Sequence, residues 1–210
     1  LHSFPTRRSS DLWQTGTPGL VIGREEDKMG QHGSATNEVI FDNCRIPASA
    51  LMGTLNDGFR IAVAELAGGR IGIGSLGLGI GLAAMDFATA YVTGRSQFGQ
   101  KISGFQAIQW MIADSYTELE AARLLLMSAA FRKESGRSFA REASMAKMYA
   151  TEAANKACYK ALQMLGGYGY IREFPIERYT RDARITAIYE GTNEIQRLII
   201  SRDILKSFSA

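Results

Sequence analysis

The hydrophobic pattern changes period once along the chain. Before residue 51, apolar positions fall in short runs bounded by glycine and proline. Gly19-Leu20-Val21-Ile22 is closed by Gly23, and residues 37–46 mix apolar and polar residues in strand fashion up to Pro47. Residues 25–33, between these runs, are charged and carry glycine, as loops do. From Gly58 onward the apolar residues recur at helical spacing. The pattern predicts helices over 58–94, 104–134, 138–165, 175–184 and 193–207. Gly104 and Gly136 punctuate the connections, and Gly166-Gly167 stops the third long helix. Long helices joined by short turns predict a four-helix up-and-down bundle. The strands before it are too few to close a sheet. The expected fold is therefore mainly α, with a partial β domain over 13–55 and a C-terminal helical bundle over 56–210.

One stretch resists this pattern. Residues 68–81 hold seven glycines, at 68, 69, 72, 74, 77, 79 and 81. Each costs roughly 0.5–1 kcal/mol relative to alanine inside a helix, so propensity alone gives a loop or a strand. Gly72-Ile73-Gly74-Ser75-Leu76-Gly77 also matches G-x-G-x-x-G. A dinucleotide-binding turn of that kind follows a strand and opens a helix. Here the preceding residues, Phe59 to Leu66, read as helix, and no second strand follows.

Composition narrows the function classes. The chain has 210 residues, enough for one or two domains with a core. Lys and Arg number 24 against 21 for Asp and Glu, a net charge of +3 that gives no case for nucleic acid. Cys44 and Cys158 lack the C-x-x-C spacing of a redox or zinc site and suggest buried thiols in a reducing compartment. His2 and His32 lie too far from either cysteine in sequence for metal-ligand spacing. No continuous apolar run reaches the length of a membrane span. The first twelve residues, Leu1 to Leu12, show neither strand nor helix period and lack the apolar segment of a secretory signal. They read as a non-native leader. Without them the balance is 22 against 20, or +2, because Arg7, Arg8 and Asp11 leave the count.

The candidate chemistry lies near the C-terminus, in Ile188-Tyr189-Glu190-Gly191-Thr192-Asn193-Glu194-Ile195-Gln196-Arg197. Glu190 sits in a short connection between two helical segments. Gly191 admits backbone shapes that other residues resist. Thr192 or Asn193 is a good N-cap for the next helix, with Gln196 at the capping-box position relative to Asn193. A carboxylate on such a turn is placed to act as a base, although on spacing alone a solvated loop glutamate is the ordinary reading. Arg95-Ser96-Gln97-Phe98-Gly99 read alone is a charged helix end with a glycine turn, and Gln163 to Gly167 read alone is a helix C-cap.

Taken together these motifs resemble the acyl-CoA dehydrogenases. The resemblance runs from about Trp13 to Leu205 through Lys28-Met29-Gly30, Ile46-Pro47, Gly58-Phe59, Gly68-Gly69-Arg70, Arg95 to Gly99, Gln163 to Gly167, Arg181-Asp182-Ala183-Arg184 and the Glu190 loop, in the family's order. It implies that residues 68–81 belong to the first bundle helix, where glycines permit close approach of a neighbouring helix or cofactor. It implies FAD as cofactor, contacted by Arg95, Phe98, Gln106, Gln163, Met164, Leu165, Gly166, Gly167, Thr192, Asn193 and Glu194, with several of these contacts made across a subunit interface. Arg70, Tyr189 and Gly191 are the implied substrate contacts and Glu190 the implied base.

The implied reaction is α,β-dehydrogenation of an acyl-CoA thioester to the trans-2-enoyl-CoA. Electrons would pass to an electron-transferring flavoprotein. The implied assembly is a homodimer or homotetramer, in the cytoplasm or, in a eukaryote, the mitochondrial matrix. Two departures stand out. The family commonly has Asp three residues before the arginine, where this chain has Ala67. One sub-branch places its base just before that arginine, where this chain has Gly69. The wording of residues 165–170 looks closest to short-chain and branched short-chain members. The family's N-terminal helical domain and the first half of its β domain would precede the region seen here, so the chain reads as a fragment. An oxygen-using flavin relative and a non-catalytic oligomerisation fragment remain as alternatives, and Glu190 argues against both.

Overall fold

The computed structural model describes residues 10, 11 and 16–209, which form two compact units, 1–66 and 67–210. The expected leader over 1–12 lies outside the described residues except for the backbone of Ser10 and Asp11.

In the first unit, β1 (Ser10–Asp11) pairs antiparallel with β4 (Leu51–Met52), a pairing no apolar alternation announces. β2 (Leu20–Glu25) pairs antiparallel with β3 (Asn37–Phe41) in the register Leu20 to Phe41, Val21 to Ile40 and Ile22 to Val39. β2 runs through Gly23, and the register shifts before Glu25 meets Asn37. β3 stops at Phe41 instead of running on to Ile46, because Asn43 adopts a left-handed backbone with φ of +48°. At Gly19, with φ of +84°, a Cβ would lie 2.3 Å from the carbonyl oxygen of Asp42, so the turn into β2 requires glycine. Cys44 does not meet the expectation of a buried thiol and is half-buried.

The boundary between the units falls inside α1 (Gly58–Gly94). The second unit continues with α2 (Gln106–Glu134), α3 (Ala140–Leu165), α4 (Gly167–Tyr170), α5 (Ile176–Arg184) and α6 (Asn193–Phe208). These bounds follow the helical period closely. Gly166 ends α3 with φ of +59°, as expected of a helix stop. Not foreseen was the hairpin of β5 (Ser96–Gln97) and β6 (Gln100–Lys101), turned by Phe98 and Gly99, both at positive φ. α1, α2 and α3 form the core of a helical bundle, to which α5 adds Ile176 and Ala183, and α6 packs on α3. α3 is its centre and packs against α2, α5 and α6. Its buried face is a row of alanines, among them Ala143, Ala146, Ala150, Ala154, Ala157 and Ala161.

That row explains the glycines of α1. A Cβ at Gly74 would meet Leu126 Cδ2 at 2.7 Å and the Lys147 Cα at 3.3 Å. One at Gly81 would meet Leu119 Cδ2 at 2.9 Å and the Ala154 Cα at 3.0 Å. Gly74, Gly77 and Gly81 recur at helical spacing on one face, so α1 lies backbone to backbone on α3. Close packing, rather than propensity, decides the structure here. Gly79 faces open space. Gly81→Ala is therefore expected to lower stability by about 1–2 kcal/mol through overpacking. Gly79→Ala should raise it by about 0.5–1 kcal/mol through helix propensity. Urea midpoints of the two variants check the pair.

The expectation about membrane-length runs needs correcting. An 18-residue window of α1 has a mean hydropathy of 1.6, enough by length and composition for a span. No charged residue lies between Arg70 and Asp86, where glycines alternate with apolar residues. Because this helix rests its glycine face on α2 and α3, it serves as a core helix of the bundle.

Candidate active site

The chain leaves α5 through a single 3-10 turn, Ile185–Ala187, and enters α6 at Asn193. Glu190 lies between, with φ of +56°, and Gly191 follows with φ of +86°. A left-handed glutamate costs about 1–2 kcal/mol and persists only where its surroundings over-determine it. Here they do. The Gln196 side-chain amide donates to the carbonyl of Gly191 at 2.8 Å and to that of Glu190 at 3.3 Å. Lys147 Nζ, reaching across from α3, donates to the same Gly191 carbonyl at 2.9 Å. Thr192 caps α6 by accepting from the Ile195 N–H.

The carboxylate of Glu190 faces α1. A Cβ on Gly69 would stand 2.6 Å from Glu190 Oε2 and 3.2 Å from Oε1. Oε2 is buried and has no hydrogen-bond partner. Next to Gly69, Arg70 is only 5% exposed and its Nε is likewise buried without a partner. Burial pushes the Arg70 pKa below the ordinary arginine range, and the Glu190 charge opposes that shift. A buried acceptor and a buried donor, both unsatisfied, are rare in folded proteins and mark a place where a ligand's polar atoms fit. The sequence-derived base and Arg70 are thus brought together, with Tyr189 and Gly191 flanking them.

Beneath the loop lies a polar network that sequence reading missed. Lys147 is the largest fully buried side chain of the bundle. Besides the Gly191 carbonyl it donates to Asn193 Oδ1 at 3.0 Å. Asn193 Nδ2 donates to Thr151 Oγ1 at 3.1 Å. Glu152 accepts from Asn193 at 3.4 Å and from Arg197 at 2.5 Å. Asn193 is therefore the first helical residue with its side chain engaged inside the protein, and the expected Asn193–Gln196 capping box does not form. A readable signal did exist, because Lys147 is a lone cation one turn from Ala143 and Thr151 on a face otherwise built of small residues.

Burial, reinforced by the charge of Arg70, pushes the Lys147 pKa from 10.5 down to about 8, against the pull of Glu194, Glu190 and Glu152. Between those values the unfolded chain binds the extra proton. Stability from this residue is therefore lowest below pH 8 and rises as pH climbs towards 10.5, by about 3 kcal/mol at most. Denaturation midpoints at pH 7.5 and pH 10 should show this rise in the native protein and lose it in Lys147→Met.

The remaining sequence-derived residues gather at the other end of α3. Eighteen residues separate Lys147 from Leu165, roughly 27 Å of helix. There Arg95 stacks its guanidinium over the Tyr168 ring at 5.7 Å, joining the hairpin to the segment after α3. Phe98 forms the hairpin tip, 91% exposed, with its ring edge-on to Phe105. Gln106 and Gln163 are exposed, and Gly166 and Gly167 face open space. Met164 and Leu165 bury their side chains in the core, so only their backbone is open to a ligand. Thr192 and exposed Glu194 stay with the Glu190 end; the Glu194 pKa is lowered first by its own backbone N–H and then by the Thr192 hydroxyl. The sequence-derived residues thus fall into two separate groups on one chain. The donor set at the far end, a guanidinium fork with amides and an exposed aromatic ring, fits the pyrophosphate and rings of a flavin dinucleotide.

Bundle and loop together define a helical C-terminal domain of the acyl-CoA dehydrogenase type. The chain belongs to the acyl-CoA dehydrogenase family, and the family model "Acyl-CoA dehydrogenase, C-terminal domain" matches residues 56–205. It is 50% identical over 192 residues to the mitochondrial short-chain specific acyl-CoA dehydrogenase of Bos taurus, covering 91% of this chain and 47% of the relative. It is 46% identical over 198 residues to the acryloyl-CoA reductase (NADH) of Anaerotignum propionicum, covering 94% of this chain and 50% of the relative. The solved butyryl-CoA dehydrogenase of Megasphaera elsdenii superposes with a TM-score of 0.93 at 41% identity, covering 96% of this chain and 52% of that one. The chain thus spans about half the length of the relatives it matches.

Proposed function

We propose that the native protein carrying this chain, with FAD bound, converts a short saturated acyl-CoA to the trans-2-enoyl-CoA, with Glu190 as the base. The observation that carries this reading is the buried, unpartnered Oε2 of Glu190, held on a left-handed turn against Gly69 and Arg70. Glu190 Oε2 takes the proton from the α carbon. FAD, when bound, supplies the acceptor for the β hydrogen and its electron pair. One proton and one hydride leave, and a carbon–carbon double bond forms. The backbone N–H of Glu190 donates to the thioester carbonyl, so that charge developing on the α carbon meets a fixed donor. Gly69 leaves the carboxylate the space it occupies, and Arg70 balances its charge.

Arg95, Phe98, Gln106, Gln163 and the backbone of 164–167 hold the FAD of a second subunit, because they lie too far from Glu190 along α3 to serve its own site. The assembly is then a homodimer or a pair of dimers, and electrons leave to an electron-transferring flavoprotein. Likeness to a reductase that bears the name acryloyl-CoA adds the reverse direction, in which Glu190 returns the proton to the α carbon. The free thiols support a reducing compartment, cytoplasm or matrix; Cys158, buried beside Asp182, is pushed up to about 12 and is inert.

Anaerobic addition of butyryl-CoA to the FAD-bound native protein should bleach the oxidised-flavin absorbance. A protein that keeps its FAD but is not bleached by short acyl-CoA thioesters would overturn this reading.

A further inference from the structure

We propose that Lys147 is a positioning residue for the Glu190 loop: its buried ammonium, anchored on α3, clamps the Gly191 carbonyl and Asn193 Oδ1 and so holds Glu190 in the left-handed conformation that aims its carboxylate. The inference rests on the role of Glu190 given above, and it concerns a residue that touches no reacting atom.

Lys147 is fully buried among alanines, yet its charge has no carboxylate partner within hydrogen-bond distance. Its two hydrogen-bond partners are a neutral carbonyl and a neutral amide oxygen, both from the segment that follows Glu190. A buried lysine without an ion-pair partner is costly, and methionine of similar shape would fill the space more cheaply. The position therefore gains little stability from lysine. What lysine adds is reach, from the rigid centre of the bundle to the carbonyl immediately after the base. That carbonyl belongs to the residue at φ of +86°, whose relaxation would let Glu190 leave φ of +56°. Gln196 holds the same carbonyl from α6, so the turn is gripped from two helices at once. α3 is fixed by its alanine face on α1, and α6 by its cap at Thr192.

The charged groups around the Lys147 ammonium come from every element near it. Arg70 stands on α1, Glu152 on α3 itself, Glu190 in the loop and Glu194 at the start of α6. The ammonium therefore interacts with the charges of both Glu190 and Arg70, so its removal alters the field at Glu190 as well as the turn.

The test uses Lys147→Met and Lys147→Gln in the FAD-bound native protein, with hydrogen exchange at the amides of residues 190–193 as the first readout. In both variants these amides should exchange at least 10-fold faster while the amides of α3 keep their native rates and the melting temperature of Lys147→Met does not fall below the native value. The rate of flavin reduction at saturating butyryl-CoA should fall by about 10-fold or more with little change in the acyl-CoA concentration needed for half-saturation. A purely structural lysine would instead loosen α3 and the loop together. Unchanged loop exchange, loosening throughout α3, or failure of both variants to fold would each overturn the proposal. If the native protein did not reduce its flavin at all, the dehydrogenation reading would fall, and the exchange measurement would still decide whether Lys147 holds the turn.

Discussion

In the FAD-bound native protein, Glu190→Gln should retain FAD and acyl-CoA binding and lose nearly all dehydrogenation. Glutamine keeps the shape of the side chain on a turn that Gln196, Lys147 and Thr192 hold from outside the side chain itself. What it removes is basicity. General-base catalysis contributes about 10²–10⁴-fold. The loss here should reach the top of that range or pass it, because the proton is bound to carbon and no second carboxylate replaces Glu190. Gly69 occupies the other position from which a base can reach the same carbon in the family. Glu194 is exposed on the first turn of α6, beyond the cap. Steady-state enoyl-CoA formation measures the loss, and retained flavin absorbance after gel filtration shows that the site is intact.

Gly69→Ala should be the second most damaging small change. Its Cβ would stand 2.6 Å from Glu190 Oε2, far inside contact distance. The obstacle is the end of a side chain rather than backbone, so the carboxylate moves and the fold survives. A displacement of about 1 Å at a reacting group costs on the order of 10²-fold. The rate should fall by about that factor with the melting temperature near the native value. Gly68→Ala is the control, since its Cβ would meet the end of the Lys133 side chain at 3.0 Å and not Glu190. A Gly69→Ala variant as active as Gly68→Ala would show that the carboxylate does not use the space over Gly69 during turnover.

Much of the fold was legible because helical period survives in a single sequence. The helices α2, α3, α5 and α6, the stop at Gly166 and the turn carrying Glu190 follow from apolar spacing and glycine placement. The glycine-rich stretch of α1 was not legible from propensity, because its helix depends on a neighbour. Gly74, Gly77 and Gly81 are helical through contact with Ala154, Thr151 and the Lys147 backbone, which lie over sixty residues away in sequence. β3 ended early for a local reason, a left-handed Asn43 that strand alternation does not reveal.

At the site, Glu190 and Arg70 are legible through the motifs that carry the family resemblance, since spacing alone makes Glu190 a solvated loop residue, but their meeting is not. It depends on α1 and the 185–192 segment being placed side by side by α3. Of the two cap candidates, Thr192 caps α6, and the structure buries the side chain of Asn193 against Lys147 and Thr151. Lys147 itself escaped notice because a lysine on a helix is ordinarily a solvated surface residue, and only its small-residue neighbours hint otherwise.

The most direct measurement is single-turnover flavin reduction by butyryl-CoA deuterated at the α carbon, in the native protein and in Glu190→Gln. With Glu190 as the base, the native protein reduces its flavin measurably more slowly with the deuterated thioester, and Glu190→Gln leaves the flavin oxidised with either. Equal rates for the two thioesters in the native protein, together with reduction at near-native rate in Glu190→Gln, would contradict it.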